Sequence, residues 1–468
     1  MKRQTLSRRQ FSVGVLRLGG SVGGAALLAA CGSTPTPQVI EKVVTMEVEK
    51  VVKETVVVEK AVTPTPAAKG KVELQFWAAS SPEDMQPFVD EWNGQHPDMP
   101  VTFLFTPGVS SVGTNPKFLA ATLGGNPPDV FIHDGSSYTT SILLNAFTAL
   151  DDLAQRDLVT SDLYWAPFWP KVMWKGHLYG LPLWTDARCL YWNKAFFEEA
   201  GLADAPKTIS ELDVMAEELT KGTRQAGYDR VGFIPWSGNW FLCAWGWAWG
   251  AELWDESSQK MRLNCPEMVE GLTWETTYAE KYGVEELSAF SKAIAGETTN
   301  PFTTENVAME ANGNWMLSSF KRYNPDLDFA MAPVPVPQGR EFLTWSGGFV
   351  GGIPRGVAFL EEAWQFLKWL GGKEFQLKWC ELNAALPVHR EASEEFVKSH
   401  PEQDLFVKLL PTTRIEPVIP EWALAWDEFI NAEQEALYGR KSPQRALDDA
   451  NAKVQDAIDA RLEEEAGG

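Results

Sequence analysis

The 468-residue chain is poor in the residues that carry metal and nucleophilic chemistry, with five cysteines and five histidines. The histidines, His96, His133, His177, His389 and His400, stand singly, and none belongs to a His-Glu-x-x-His pair. The cysteines, Cys31, Cys189, Cys243, Cys265 and Cys380, lack metal-ligand spacing, so no metal and no cofactor is expected. The body of the chain shows no Gly-x-Ser-x-Gly elbow and no phosphate-cradling loop. Cations are scarce too: 41 Lys and Arg against 63 Asp and Glu leave a net charge of −22. Nucleic acid is bound through clustered cations, so it is not an expected partner. No uncharged apolar run reaches the roughly 20 residues of a membrane-spanning helix.

What is present begins at the N-terminus. Lys2, Arg3, Arg8 and Arg9 precede a weakly apolar stretch from Val13 to Ala30. This reads as a signal peptide over residues 1–30, to be left out of fold reasoning. Ser7-Arg8-Arg9-Gln10-Phe11 resembles a twin-arginine export signal, with a Sec signal as the alternative. Leu28-Ala29-Ala30-Cys31 resembles a bacterial lipoprotein box, which implies cleavage before Cys31 and lipid on its thiol. Residues 31–70 then form a tether. Thr34-Pro35-Thr36-Pro37 opens it, Thr63-Pro64-Thr65-Pro66 closes it, and a loose Glu-Lys-Val-Val repeat starting at Glu41 lies between. The expectation is an exported protein held at the outer face of the cell membrane. About 400 residues remain, enough for two lobes. One disulfide among Cys189, Cys243, Cys265 and Cys380 is open, with no pairing legible.

The body alternates strands and helices. Lys71 to Trp77 reads as a strand. Ser81-Pro82-Glu83-Asp84 starts a helix whose Met85, Phe88, Val89 and Trp92 share one face. Strands follow at Pro100–Phe105 and Asp129–Ile132, with a helix around Phe118 to Leu123 between them. Thr208-Ile209-Ser210-Glu211 is a capping box, Arg262-Leu263-Asn264 a strand before a helix from Pro266, and Phe329–Pro335 a strand that runs into prolines. Ala363, Phe366, Leu367 and Leu370 mark one further helix. Ala446, Leu447, Ala450, Val454 and Ile458 mark the inner face of the last. The fold class expected is α/β with a largely parallel sheet.

The order of motifs resembles the extracellular solute-binding proteins of ABC importers, in the sugar-binding group related to maltose-binding protein. "GHLYGLPLWTDARCLYWNKAFFEEAGLADAPKTISELDVMAEEL" carries the most specific part. "VELQFWAASSPEDMQPFVDEWNGQHPDMPVTF" and "LAATLGGNPPDVFIHDG" precede it, and "ENVAMEANGNW", "APVPVPQGR", "WSGGF" and "EAWQFLKWLGG" follow. The resemblance implies the type II periplasmic-binding fold, two α/β lobes with a hinge and a ligand cleft. It places chain crossovers near Leu183–Arg188, Ala330–Val336 and Leu386–Arg390. The lobes are expected to be 71–185 plus 336–386 and 186–335 plus 387–468. It implies a monomer that captures a mono- or oligosaccharide and delivers it to an ABC permease, without catalysis. A polyol or glycerol-phosphate ligand is the alternative within the class. A cell-surface glycoside hydrolase, using a pair such as Asp134 and Asp186, and a structural lipoprotein are the alternatives outside it.

A sugar needs polar acceptors at its edge and flat apolar cover on its faces. Trp77 and Ser80 fall at the C-terminal end of the first strand, where open α/β sheets place ligands. Asp134 ends the third strand, as a site carboxylate or as a helix cap. Asp186 and Arg188 follow at the first crossover, as site residues or as a hinge ion pair. By the resemblance, Trp315, Trp345 and Gly347 stand where stacking or polar contacts occur, with core packing as the alternative for the two tryptophans, and Arg390 lies in the last crossover. The stretch "VGFIPWSGNWFLCAWGWAWGAELWDE" holds six tryptophans. Trp236 and Trp240 lie in a loop made by Pro235 and Gly238, which the resemblance puts at the cleft-facing end, so they are expected to face the cleft. Trp245, Trp247 and Trp249, alternating with Gly and Ala, are expected mostly in the core.

Overall fold

Ser81 begins the first helix in the manner its neighbours dictate. Its hydroxyl accepts the Asp84 N–H at 3.2 Å, Pro82 takes the first position, and Glu83 and Asp84 face the positive helix end. Met85, Phe88, Val89 and Trp92 are the buried face of this helix, Pro82–Gln95. Asn115 caps Pro116–Leu123 in the same way. Thr208 and Glu211 satisfy each other's backbone N–H groups at the start of Ile209–Leu219.

The computed structural model describes residues 72–107, 115–294 and 300–467. The expectations for the signal peptide, Cys31 and the tether lie outside the described residues. The body falls within one compact unit, Pro66–Gly468. No helix among the described residues is long and apolar enough to cross a membrane.

Two main sheets organise this body. The first has six strands in the order Leu386–Pro387, Gly180–Thr185, Phe349–Gly352, Val130–Asp134, Leu74–Ala78, Val101–Phe105. Its last three strands are mutually parallel, as βαβ crossovers require. Phe349–Gly352 runs antiparallel to both of its neighbours. The second sheet is antiparallel, with Arg188–Asn193 between Met309–Gly313 and Phe329–Ala332. The expectation of a largely parallel sheet is therefore corrected to one mixed and one antiparallel sheet. A strand that enters a sheet from the other half of the molecule has no crossover helix of its own to make it parallel. The strand expected at Arg262–Asn264 is instead Lys260–Met261, ahead of the helix Pro266–Tyr282.

Two hydrophobic cores form, and the first also takes in Tyr191, Phe329 and Met331 of the second sheet. The first gathers Leu74, Phe76, Phe131, Leu181, Leu183, Trp364 and Leu367. The second gathers Leu190, Trp240, Trp245, Leu272, Trp422 and Phe429, with the inner face of the last helix. Val388, Phe396, Phe406 and Leu410 pack into the first core, and Leu343 and Trp345 into the second. The stretch from Leu242 to Trp249 is helical, so its tryptophans spread around the axis. Trp245 and Trp247 are buried and Trp249 is half-buried against Trp274, a packing role as expected. Cys189, Cys243, Cys265 and Cys380 are all buried and unpaired, so the open question of a disulfide is answered by four free thiols.

Candidate functional site

Only Asp186 and Ala187 separate the strand Gly180–Thr185 of the first sheet from Arg188–Asn193 of the second. Two residues leave no slack, so Asp186 and Arg188 are held where the two sheets meet. Arg188 donates its backbone N–H to Thr344 Oγ1 at 2.8 Å, and the Thr344 hydroxyl donates back to Arg188 O at 2.8 Å. The guanidinium, buried with its side chain only 6% exposed, is shared among three partners. Nε and Nη2 donate to Asn239 Oδ1 at 3.0 and 2.9 Å, and Nη1 donates to Trp345 O at 3.2 Å and to Asp186 Oδ1. Its plane is covered by the Trp345 ring, 4.0 Å to the centroid, and by Trp315 at 5.1 Å. Asn239 reaches this position because Gly238 takes φ +80° against the Ala311 carbonyl, where a Cβ would sit at 2.4 Å.

Asp186 is 24% exposed, unlike its partner. Its Oδ1 also accepts the Gly347 N–H at 2.8 Å. Among the described residues Oδ2 accepts no hydrogen bond. The result is a charged acceptor with one oxygen anchored and one available, beside the half-buried Trp315.

Behind this group lies a buried ion pair that sequence reasoning missed. Lys171 Nζ donates to Glu416 Oε2 at 2.9 Å and to Gly347 O at 2.9 Å, and Trp345 Nε1 donates to Glu416 Oε1 at 2.9 Å. Burial pushes the Glu416 carboxyl up, but the Lys171 charge, its hydrogen bond and the Trp345 N–H hold it below the usual carboxylate value. The signal in the sequence was a lone lysine in the apolar run Ala166-Pro167-Phe168-Trp169-Pro170-Lys171-Val172, and its partner lies 245 residues away.

Asp134 ends its strand and also caps the short turn after it, accepting the Ser136 N–H at 2.9 Å and the Ser136 hydroxyl. The capping reading of this residue is the one its hydrogen bonds show. Burial raises its carboxyl to about 6, with Ser136 and Lys171 opposing. Gly135 N donates to Gly348 O at 2.9 Å, tying this turn to the Gly347–Gly348 segment. His133 is buried and points away, its pKa lowered by burial to about 4, so the ring is neutral at pH 7.

The structure thus brings Asp186, Arg188, Trp315, Trp345 and Gly347 into direct contact and links Asp134 to them through the Lys171 charge. Trp77 and Ser80 are half-buried at the end of the strand Leu74–Ala78, with Lys117 4.9 Å from the Trp77 ring centroid. Trp236 is half-buried against the second core. Two placements differ from expectation. Trp240 is 1% exposed and packs edge-on against Trp245, because the chain turns inward at Asn239 to enter the helix Leu242–Trp249. Arg390 lies apart from the Asp186 group, over the Trp165 ring at 5.3 Å, because it opens the helix Arg390–Ser399 instead of ending a crossover strand.

Two sheets joined by a two-residue link, with a charged and aromatic cluster at the junction, define a binding protein of the periplasmic-binding type. Residues 88–404 match the family model of the bacterial extracellular solute-binding proteins, and the chain belongs to that family. Its members bind solutes and are not enzymes. The maltotriose-binding protein of Pyrococcus abyssi is 25% identical over 397 residues, 81% of this chain and 79% of its own. The maltooligosaccharide ABC transporter solute-binding lipoprotein of Streptococcus pneumoniae (strain R6) is 23% identical over 350 residues, 73% of this chain and 78% of its own. The solved structure of CpMnBP1 with mannotriose bound superposes with a TM-score of 0.71 at 28% identity, covering 82% of this chain and all of that one.

Proposed function

We propose that the protein is the lipid-anchored substrate-binding component of an ABC importer, and that it captures a short oligosaccharide in a cleft between its lobes. The observation that carries this reading is the Asp186 carboxylate, fixed through Oδ1 by Arg188 and Gly347 with Oδ2 available, next to the Trp315 ring. A sugar hydroxyl donating to Oδ2 would make a charge-assisted hydrogen bond while its apolar face covers the indole. Trp77, Ser80, Asp134 and Trp236 are the further contacts assigned to this cleft. The hinge lies at the Asp186–Ala187 link and the two other crossovers, and closure is the signal the permease reads. The relatives that handle maltotriose, maltooligosaccharides and mannotriose support the carbohydrate class. Cys31 carries the lipid, the tether sets the distance from the membrane, and the binding body acts as a monomer.

Calorimetric titration of the purified protein with maltotriose, mannotriose and a panel of other di- and trisaccharides tests the reading. Binding of at least one, with no turnover and with loss of affinity in Asp186→Ala, is expected. A panel that binds equally well to wild type and Asp186→Ala removes that carboxylate from the site. A panel that does not bind at all overturns the carbohydrate reading.

A further inference from the structure

A cavity of about 510 Å³ opens beside Trp165, Trp169 and Arg390, away from Asp186 and its partners. Its walls are flat and fixed. The Trp165 indole N–H donates to Ser393 Oγ at 2.9 Å, and its backbone N–H donates to Val388 O at 3.0 Å. Trp169 is stacked on Tyr164, with centroids 5.6 Å apart and planes 28° apart. Rings held this firmly lose little freedom when a ligand covers them.

The charge on this wall is used internally only in a cation–π contact. Arg390 is exposed and lies over Trp165, and among the described residues it enters no ion pair. It also opens a ten-residue helix, Arg390–Ser399, whose N-cap residue His389 makes no side-chain cap. The guanidinium, without an ion-pair partner, favours an anion where it lines the cavity. The neighbouring Glu391 carboxylate is exposed and lies 3.7 Å from the Lys373 ammonium, which it shares with Glu395 at 3.0 Å. Ser161 and Asp162 also line the cavity and offer a hydroxyl and a charged acceptor.

We infer that this cavity is a second ligand site, and that it takes a sugar ring bearing a carboxylate, a uronic acid. The carboxylate lies on Arg390, the ring's C–H face on the tryptophans, and its hydroxyls on Ser161 and Asp162. A plain aromatic acid would leave that polar rim unused, and a neutral sugar would leave Arg390 unused.

The test is a titration of the purified protein with galacturonate and glucuronate, followed by calorimetry and saturation-transfer NMR. Galacturonate methyl ester and benzoate serve as controls. The uronates should bind wild type and Asp186→Ala alike and bind roughly tenfold more weakly to Arg390→Gln, the loss of one charge-assisted contact. The methyl ester should be weakened to the same degree in wild type. Arg390 is exposed, so the variant should keep the wild-type melting temperature, and Trp165→Ala provides an independent loss of the platform. The inference fails if neither uronate binds, or if Arg390→Gln and Trp165→Ala leave binding unchanged. It also fails if benzoate binds as well as the uronates, or if Asp186→Ala abolishes binding, which would put the uronate in the cleft.

Discussion

The Arg188 guanidinium lies over the Trp345 indole, 4.0 Å from its centroid, while the same indole's N–H donates to Glu416 at 2.9 Å. One ring therefore joins the charge that orients Asp186 to the buried ion pair of Lys171 and Glu416. The two halves of the molecule meet through polar groups that are each satisfied by another, and most substitutions here should be felt at a distance.

Arg188→Lys keeps the charge but removes the flat fork that reaches Asn239 and Asp186 together. It should reduce both ligand affinity and unfolding free energy, each by about 2 kcal/mol. Calorimetry and urea melts of the same variant check the two effects separately.

Asp186→Asn preserves shape and removes the charge. Ligand affinity should fall by about 1.5–3 kcal/mol, roughly 10- to 150-fold, and the melting temperature should fall as well because the buried Arg188 loses its anion. A loss of stability with affinity unchanged would assign Asp186 to the hinge ion pair alone.

Lys171→Met leaves Glu416 buried without its cation and should destabilise the fold by about 3–5 kcal/mol. Adding Glu416→Gln removes the stranded charge, so the double variant should recover much of that loss. A double-mutant cycle by urea unfolding measures the coupling.

Gly313 supports the Trp315 ring directly: a Cβ there would lie 2.0 Å from the indole. Gly313→Ala should push that ring from its place beside Arg188 and weaken ligand binding more than Trp315→Phe does. Binding isotherms of the two variants side by side decide this.

Glu310 gives a pH signature. Burial raises its carboxyl to about 7, against the hydrogen bonds donated by Asn312 and Asn300. Between about pH 4.5 and 7 the folded state holds a proton that the unfolded state has lost, so this group lowers stability as pH rises. Asp134, raised to about 6, acts in the same direction. His133, lowered to about 4, acts oppositely: its contribution is full above about pH 6.5 and fades as pH falls toward 4. Glu310→Gln should therefore be relatively more stable at pH 7.5 than at pH 5 when compared with wild type. Melting temperatures at the two pH values test this, and a difference that does not change with pH would refute it.

The sequence by itself determined the local structure and the family. Ser81, Asn115 and the Thr208–Glu211 box announce helix starts because capping is decided by residues three apart. The buried faces of the first and last helices follow from spacing alone. Asp186 and Arg188 were legible because they sit within one short motif. Tertiary structure alone decided the rest. Whether Trp240 is core and Trp315 half-open depends on what packs above each, and periodicity carries no record of that. The direction of Phe349–Gly352 depends on which part of the molecule supplies it. Glu416 became a partner of Lys171 across 245 residues, and Arg390 became a neighbour of Trp165. A side chain's chemistry is written in its own code letter, but its burial and its partners belong to the whole fold.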